Sequence, residues 1–471
     1  MTTAVRGPRP ATAKASARRI RARPPQRWWA DAAGSAAVLS VVAVVALWVS
    51  HRGLQNIGET GGLATTTGRL TGLISADLLV LQVLLMARIP WVERSYGQDL
   101  LARRHRLVGF WSFWLMVAHV VLITIGYAAQ GHAGLLGEAW ALVTTYAGML
   151  LATAGTALLV AVVGLSIRAA RRRLRYESWH LLHLYAYLGI GLALPHQIWT
   201  GADFIDSAAT QAFWWTWYGS ALAAVLVFRI GLPVWRSLYH RLEVANVVHE
   251  IPGVVSVYLR GRHLDRLPVR AGQFFLWRFL DGPGWTRAHP YTLSAAPRTD
   301  RLRITVKDLG DGSGRVAHLR RGTRVFVEGP FGALTSATRK RRKVLLMAAG
   351  VGITTMRALL EDLDFHAGDV TLIYRISRPA DAVFRAELDQ LANRRGARIV
   401  YLDGPRATAT SWTPAEWSHV SDVEALQWLV PDVAYHDAYL CGPPSWMDSV
   451  REALGEAGMP PEHVHIEEFA W

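Results

Sequence analysis

Cysteine is almost absent from this sequence, and charged residues are few. The single cysteine, Cys441, excludes an intrachain disulfide and a structural zinc site built from several cysteines. Charged residues make up only 18% of the chain, whereas hydrophobic residues make up 51%. That balance is too apolar for an ordinary soluble protein and indicates membrane-spanning segments.

Lysine and arginine are absent from two loops, 128–137 and 198–212, although the formal net charge of the chain is +15. The basic residues are concentrated instead in an N-terminal arm and in the segments 88–106 and 168–175. This alternation follows the positive-inside rule and suits attraction to an anionic inner leaflet. We therefore expect a multi-pass protein of the plasma membrane with a cytoplasmic N-terminus. A nucleic-acid-binding face is not expected.

Six apolar stretches in the first half are each long enough to cross a bilayer core of about 30 Å. They cover residues 29–50, 70–90, 107–127, 138–167, 180–200 and 213–235. After about residue 240, short β-rich runs with intervening Gly and Pro favour an antiparallel barrel, and after about 340 strands alternate with helices. The predicted domains are a disordered arm (1–28), an all-α six-helix transmembrane bundle (29–236), an antiparallel β-barrel (237–336) and an α/β nucleotide-binding domain (337–471).

Four histidines lie in two of the predicted spans, where ionisable side chains are costly and mark functional sites. His105 and His119 are nearly four helical turns apart, as are His183 and His196, so each pair shares one helix face at levels about 20 Å apart. The two spans run in the same direction, which matches His105 with His183 in depth and His119 with His196. Two facing imidazoles can hold a haem iron, and the sequence thus predicts two stacked b-type haems.

Three other ionisable residues of this half are interpreted differently. His180 lies one turn before His183 and breaks the matched spacing, so we interpret it as a neighbour of the ligand. Arg69 lies at the outer end of the second span, where its charge could hold a haem propionate or attract an anionic acceptor. Arg88, at the other end, is expected to snorkel to the interface.

Two motifs in the second half suit a flavin. The run His289-Pro290-Tyr291-Thr292-Leu293-Ser294 follows a strand-like segment and offers an aromatic ring beside hydroxyl groups. Alone it could be any strand end. The glycine-rich run 307–314 includes Gly312 and Ser313 and precedes a helical segment, so its backbone N–H groups could cradle a pyrophosphate. A tight hairpin is the alternative for this run.

Three further motifs suit a nicotinamide nucleotide. Gly350, Gly352 and Thr354 form a short glycine turn between a strand and a helix, which lets the backbone approach a dinucleotide phosphate. The strand-end residues Arg375, Ser377 and Arg378 could take the 2′-phosphate of NADPH. The run Cys441-Gly442-Pro443 could align the nicotinamide, although a buried structural cysteine would look the same. A terminal aromatic residue, Phe469 or Trp471, could stack over the flavin.

Together, in this order, the motifs resemble the ferric reductase and NADPH oxidase superfamily, in which a six-span haem domain is joined to a dehydrogenase of the ferredoxin–NADP reductase type. The resemblance covers nearly all of the chain from about residue 30. It implies that the four histidines bind haem and that the 289–294 and 312–313 motifs bind FAD. It also implies that the 350–354, 375–378 and 441–443 motifs bind NADPH or NADH and that Phe469 or Trp471 covers the flavin. Two positions depart from the family pattern: Thr355 stands where many relatives have proline, and Ile123 where some NADPH oxidases have a further histidine.

The function expected from these features is electron transfer from cytoplasmic NAD(P)H, through FAD and two haems, to a ferric chelate or dioxygen on the far side of the membrane. One alternative is an electron-supply module that reduces a partner protein or a quinone. Another is a flavin reductase for which the spans serve only as an anchor. The sequence leaves the acceptor, the oligomeric state and the nucleotide preference open.

Overall fold

The computed structural model describes residues 28–467, except for 52, 56, 132–133, 168–175, 206, 283 and 311. The described residues divide into two compact units, which meet in sequence between Leu232 and Pro233. The predicted basic arm, the arginines of 168–175 and the terminal residues Phe469 and Trp471 lie outside the described part of the chain.

The first unit is helical. Its helices are α1 (Trp28–Ser50), α2 (Gly62–Met86), α3 (Pro90–Tyr96), α4 (Gln98–Gln130), α5 (Leu135–Thr145), α6 (Met149–Ser166), α7 (Tyr176–Thr200), α8 (Ala202–Ile205) and α9 (Ala208–Ala224). A π-helical segment, Val225–Gly231, connects α9 to α10 (Leu232–His240). Arg229 in this segment donates to the carbonyl of Met86 at 3.0 Å, where α2 leaves its last carbonyls without helical partners.

Five helical segments have both the length and the apolar composition of a membrane span. They are Trp28–Ser50, Gly62–Met86, Leu100–Gln130, Met149–Ser166 and Ala208–His240. The predicted fifth stretch forms α7, which has 25 residues but is not among these segments. Three histidines and an internal proline, Pro195, reduce the apolar character of α7. The predicted fourth stretch is divided into α5 and α6 at Gly148, whose φ of 80° is a left-handed conformation that suits glycine.

Glycines bring the helices of this unit into close contact. A Cβ atom at Gly126 would lie 2.8 Å from the backbone nitrogen of Thr65, so α4 and α2 approach closely there. A Cβ at Gly155 would lie 2.5 Å from the carbonyl oxygen of Gly189, which brings α6 and α7 together. Small residues at such crossings permit the backbone approach that holds membrane helices together. Helix α4 is thereby packed on α2, and helix α7 on α6.

The described residues of the second unit form three sheets, four further helices and the part of α10 from Pro233 onward. Its strands are β1 (Glu243–Ile251), β2 (Val254–Arg260), β3 (Phe274–Phe279), β4 (His289–Thr292), β5 (Leu302–Lys307), β6 (Val325–Phe331), β7 (Lys343–Ala349), β8 (Val370–Arg375), β9 (Arg398–Leu402), β10 (His436–Cys441) and β11 (Val464–Ile466). Its helices are α11 (Ile353–Asp362), α12 (Arg385–Arg395), α13 (Asp422–Leu429) and α14 (Pro444–Glu456).

The first six strands form two antiparallel sheets of three strands, in the orders β1-β2-β5 and β4-β3-β6. Both sheets contribute apolar side chains to one buried core, which includes Val257 and Ile304 from one sheet and Phe275 and Trp277 from the other. Short β-rich runs separated by Gly and Pro gave the antiparallel prediction, and the pairing confirms antiparallel strands.

The last five strands form a parallel sheet in the order β11-β10-β7-β8-β9. The chain runs outward from β7 through β8 to β9, and it then returns to place β10 on the other side of β7. The strand order therefore reverses between β7 and β10. In open α/β sheets, ligands bind at the carboxyl ends of the strands on either side of such a reversal.

Candidate functional site

The four predicted histidines form two pairs within the helical unit. The rings of His105 and His183 have centroids 6.0 Å apart, and those of His119 and His196 have centroids 6.4 Å apart. One member of each pair belongs to α4 and the other to α7. The depth matching that the sequence spacing predicted is therefore present in the structure.

In each histidine, the hydrogen bond at Nδ1 determines whether Nε2 is free to bind a metal. The Nδ1 atom of His119 lies 2.7 Å from the carbonyl oxygen of Gly68, and a carbonyl only accepts, so this Nδ1 carries the proton. The Nδ1 atoms of His196 and His183 face hydroxyls, Thr200 at 3.0 Å and Ser166 at 3.3 Å. Such outer partners orient an imidazole and leave its Nε2 lone pair available for ligation. His105 lies beside the backbone of Gln82, but its buried Nδ1 completes no hydrogen bond with a described residue.

Glycines make room for the two rings at the His119 level. A Cβ atom at Gly72 would lie 2.4 Å from Nδ1 of His119, closer than any real contact. A Cβ at Gly148 would lie 2.8 Å from the backbone nitrogen of His196. Packing therefore fixes the position of His119 and of the α7 backbone at His196, and neither glycine is recognisable as a site residue from the sequence alone.

Arg69 forms an ion pair with an acidic residue that was not predicted from the sequence. Its Nε and Nη2 atoms donate to the two carboxylate oxygens of Asp203, at 2.8 and 2.7 Å. This bidentate arrangement is the strongest geometry available to an arginine and a carboxylate. The charge of Arg69 is thus balanced within the unit, and its contact with a propionate or an acceptor stays a prediction.

The two predicted flavin motifs converge on one cleft in the second unit. His289 and Gly312 both line it, together with Trp285, Arg287 and Arg315, which the sequence reading did not identify. A Cβ atom at Gly312 would lie 2.2 Å from the His289 ring, so glycine is required for this approach. Two guanidinium groups and an indole beside a glycine turn match the phosphates and aromatic rings of a dinucleotide.

The remaining residues of the flavin motifs have distinct positions. Tyr291 lies beside His289, with nearly parallel rings 5.9 Å apart, and burial raises the pKa of its hydroxyl. Pro290 and Thr292 belong to β4, which pairs with β3. Ser294 is fully buried, and its hydroxyl accepts from Arg303 at 3.1 Å and from Thr305 at 2.7 Å. The structure therefore supports an internal bracing position for Ser294 rather than direct flavin contact.

The hydroxyl of Ser313 is also used internally. It accepts from the backbone N–H of Leu309 at 2.7 Å and donates to the carbonyl of Gly310 at 3.0 Å. Gly310 has a φ of 117°, which suits glycine. Ser313 therefore stabilises the turn, and the backbone N–H groups of Leu309, Gly310, Ser313 and Gly314 also form their hydrogen bonds within it.

Two predicted nucleotide motifs meet at the reversal of the parallel sheet. The glycine turn with Gly350 and Gly352 follows β7, and Cys441-Gly442-Pro443 follows β10. A Cβ at Gly352 would lie 2.1 Å from the carbonyl oxygen of Cys441, so only glycine permits this contact. Gly350 has a φ of 55°, and Thr354 is nearly buried at the start of α11. The backbone of both turns thus borders the site where a nucleotide would bind.

Cys441 is a neutral thiol in this arrangement. Burial raises its pKa to about 12, and its Sγ donates to the hydroxyl of Thr355 at 3.7 Å. Thiolate chemistry at neutral pH is therefore excluded for Cys441. Thr355, which stands where many relatives have proline, supplies the acceptor for this thiol.

The two arginines predicted for a 2′-phosphate differ in their surroundings. Arg375 is buried, and its guanidinium donates to the carbonyl oxygens of Leu402 at 3.2 Å and Gly404 at 2.7 Å. Its guanidinium thereby ties the end of β8 to the residues after β9. Arg378 is exposed and forms an ion pair with Asp381 at 2.9 Å, and Ser377 is exposed beside it. Arg378 is therefore the more accessible of the two to a phosphate.

Asp437, which the sequence reading missed, organises the start of β10. Its carboxylate is fully buried and contacts His463 at 2.8 Å, His465 at 3.3 Å and the backbone N–H groups of Lys340 and Arg341 at 2.6 and 2.5 Å. Burial alone would raise the pKa of this carboxyl. The hydrogen bonds from the two histidines and the two amides outweigh burial and hold the pKa well below its usual range.

We expect Asp437→Asn to destabilise the second unit by about 3 kcal/mol, because an amide cannot accept all of these bonds and leaves buried donors unpaired. Because the folded pKa is the lower one, the carboxylate stabilises the fold above about pH 4 and loses that effect as pH falls further. Thermal unfolding of the full chain at several pH values tests this. The Tm difference from the wild type should shrink below pH 4, and Asp448→Asn, at an exposed ion pair, should change little. Equal Tm values at pH 7 would contradict the role of Asp437.

Two segments of the chain match known protein families. Residues 71–194 match the family model described as ferric reductase like transmembrane component, and residues 346–452 match the oxidoreductase NAD-binding domain. The transmembrane match contains His105, His119 and His183, three of the four paired histidines. The NAD-binding match contains the glycine turn and Cys441.

Curated relatives include the ferredoxin reductase component of 3-ketosteroid-9-alpha-monooxygenase from Mycolicibacterium smegmatis, 32% identical over 238 residues. That alignment covers 48% of this chain and 65% of the relative. A flavohemoprotein of Chromobacterium violaceum is 30% identical over 252 residues, covering 50% of this chain and 60% of the relative. This chain thus spans less than two thirds of the length of these relatives.

Among solved structures, a ferredoxin reductase in carbazole 1,9a-dioxygenase matches with a TM-score of 0.40 and 22% identity, over 49% of this chain and 69% of that chain. The family matches place a ferric reductase-like transmembrane component and an NAD-binding oxidoreductase domain in one polypeptide. The chain therefore joins a segment similar to a ferric reductase like transmembrane component to a segment similar to an oxidoreductase NAD-binding domain, and it has several helices long and apolar enough to span a membrane.

Proposed function

We propose that the protein transfers electrons from cytoplasmic NAD(P)H, through FAD and two b-type haems, to a ferric chelate or dioxygen on the far side of the membrane. The observation that carries this proposal is the separation of the two histidine pairs. An iron bound at about 2 Å from each of two Nε2 atoms requires ring centroids about 6.3 Å apart. The observed separations are 6.0 and 6.4 Å.

Two imidazoles alone cannot complete the coordination of a metal ion. Among the residues that the structure describes, no cluster of three or more His, Cys, Asp or Glu side chains could hold a bare metal. Each pair would supply two imidazole ligands, and a haem would supply the remaining ligands of its iron. The residues present therefore fit two haems, with His105 and His183 holding one and His119 and His196 the other.

The second unit fits the other two cofactors. The cleft beside His289, Gly312 and Arg287 would hold the dinucleotide part of FAD, and the turns beside Gly350 and Cys441 would hold NAD(P)H. When bound, the flavin would accept a hydride and pass on single electrons, which the haems would carry across the membrane. The neutral thiol of Cys441 would pack against the nicotinamide without adding a charge to the hydride path.

The topology is part of this proposal. Helix α7 would complete a bundle of six spans, with the His105 level near the cytoplasm and the His119 level near the outside, in the plasma membrane. The domains would run from 29 to 236, from 237 to 336, where the two antiparallel sheets would form the FAD barrel, and from 337 to 471. Arg69 would stand at the outer end, near Tyr127 and Glu138.

Turnover in sealed vesicles tests the proposed function. Purified protein should contain two b-type haems per chain, and NAD(P)H supplied on the side of the second unit should reduce a ferric chelate or oxygen on the opposite side. A ferrous chelator and a superoxide probe distinguish the two acceptors. Fewer than two haems per chain would contradict the proposal, and flavin reduction without haem reduction would indicate an anchored flavin reductase.

Nucleotide preference gives a separate prediction. We expect Arg378→Ala to raise the KM for NADPH about tenfold, since a charge-assisted bond to a 2′-phosphate contributes about 1.5–3 kcal/mol. The KM for NADH should change little. Steady-state kinetics with both nucleotides checks this, and Arg394→Ala, which removes an exposed arginine of α12, is the matched control. Parallel changes for both nucleotides would show that Arg378 does not read the 2′-phosphate.

A further inference from the structure

Asp77 is a buried carboxyl group inside the helical unit that the proposed electron path does not use. It lies on α2 and is fully buried. Five residues before it, Gly72 contacts His119, and five residues after it, Gln82 faces His105. Asp77 therefore lies between the levels of the two histidine pairs, at a depth where a carboxylate is costly and is by default a functional hypothesis.

The hydrogen bonding of Asp77 is incomplete for a carboxylate. Its Oδ2 accepts from the hydroxyl of Ser40 on α1 at 3.1 Å, and the same hydroxyl also lies 2.9 Å from the carbonyl of Ala37. Its Oδ1 is buried, and the indole N–H of Trp217 is a donor beside this carboxyl, although neither Oδ1 nor the indole Nε1 completes a hydrogen bond among the described residues. A buried oxygen that receives no donor from the protein can itself carry a proton or bind a water molecule.

Polar groups connect the surroundings of Asp77 to the ligand helix α7. Tyr218, next to Trp217 on α9, interacts electrostatically with Asp77. The hydroxyl of Tyr218 donates to the side-chain oxygen of Gln197, which is adjacent to His196. A carboxyl group in this position would sense a change of charge at the His119 level.

Among the described residues of α1, α4 and α9, the Asp, Glu, Lys and Arg side chains are exposed: Asp31 on α1, and Arg103, Arg104 and Arg106 near the His105 level of α4. Helix α9 contains no Asp, Glu, Lys or Arg, and the only such residue in α1 is Asp31, which is exposed more than two turns from Ser40. Two titratable groups lie in these surroundings: Tyr218 on α9 interacts with Asp77, and His119 of α4 reaches α2 at Gly72. An electron that arrives between these helices therefore adds a charge that only a mobile ion, such as a proton, can compensate.

We propose that Asp77 takes up one proton from the aqueous phase when the haem at the His119 level accepts one electron, and releases it when that haem is reoxidised. The inference rests on the proposed function. In this exchange one electron enters the iron, one proton binds Oδ1, and the net charge of the region is unchanged. Asp77 would thus act as a charge-compensating residue rather than as a ligand.

Redox difference infrared spectroscopy of the haem-loaded full chain tests the proposal. Reduction of the wild type should produce the carbonyl stretching band of a protonated carboxylic acid, which shifts in D₂O. Asp77→Asn should lack the band, Asp77→Glu should keep it at a shifted position, and Ser40→Ala should shift it because its hydrogen bond is lost. The exposed control Asp31→Asn should leave the band unchanged.

A potentiometric titration gives a second readout. In the wild type, each pH unit should change the reduction equilibrium of one haem up to tenfold, which is about 59 mV for a one-electron couple. Asp77→Asn should reduce this slope. A two-haem wild type without a carboxyl band and with pH-independent potentials would overturn the role of Asp77, as would a band that persists in Asp77→Asn. A wild type without two haems would instead overturn the proposed function itself.

Discussion

Replacing His119 with alanine is expected to leave one haem per chain and to abolish NAD(P)H-driven reduction of an acceptor across the membrane. The rings of His119 and His196 have centroids 6.4 Å apart. Another side chain could reach the place of the lost ring only if the packed helices shifted. Loss of a supporting hydrogen bond to a ligand costs roughly 10–100-fold in affinity, and loss of the ligand itself should cost more. The measurements are the haem-to-protein ratio and the rate of acceptor reduction in vesicles.

The matched control for this experiment is His180→Ala. His180 lies on the same helix as His183, one turn away, and its ring lies 6.5 Å from that of Trp179. Because His183 rather than His180 faces His105, the control should retain both haems. Reduction of the flavin by NAD(P)H should persist in both variants. If His119→Ala keeps two haems, or if His180→Ala loses one, the assignment of ligands is wrong.

Sequence spacing was sufficient to predict the histidine pairs because a helix has a fixed rise and period. Once His105 and His119 share a face, and His183 and His196 share another, only the packing of α4 near α7 remains to be known. The same regularity gave the strand–turn–helix context of Gly352 and the strand that ends at Cys441. These motifs are local, and their structural setting follows from a few neighbouring residues.

Contacts between residues far apart in the chain could not be predicted from the sequence. Arg69 looked free at the end of a span because nothing local shows that Asp203, 134 residues later, takes both of its donors. Arg375 and Ser294 were predicted to contact cofactors because of their residue type, yet their polar groups are used by Gly404 and Arg303. Residue type shows what a group can bind, whereas packing decides which partner it has.

Helix α7 was predicted as a span, and its composition is less apolar than that of the other predicted spans. Its histidines and Pro195 reduce its apolar character, and the segment that precedes it, 168–175, lies outside the described residues. A helix that holds polar ligands is the one whose hydropathy should be weakest, since each imidazole replaces an apolar side chain. The weak hydropathy of α7 and its proposed ligand role thus have the same cause.

Gly72→Ala is expected to weaken the haem at the His119 level without changing any ligand. The added Cβ would lie 2.4 Å from Nδ1 of His119 and 2.8 Å from Cε1, so the ring must move and its bond to the carbonyl of Gly68 must lengthen. We expect a roughly 10–100-fold loss of haem affinity, the effect of losing an orienting partner. Haem content should fall below two per chain while the His105 level remains loaded.

The control for this substitution is Gly191→Ala on α7, where an added Cβ meets nothing within 4 Å. Alanine has the higher helix propensity, so neither substitution weakens its helix, and a loss confined to Gly72→Ala must arise from contact with the ring. The haem-to-protein ratio and the potential of the remaining centres distinguish the two variants. If Gly72→Ala retains two haems with unchanged potentials, the close packing of His119 on α2 does not hold the ligand in place.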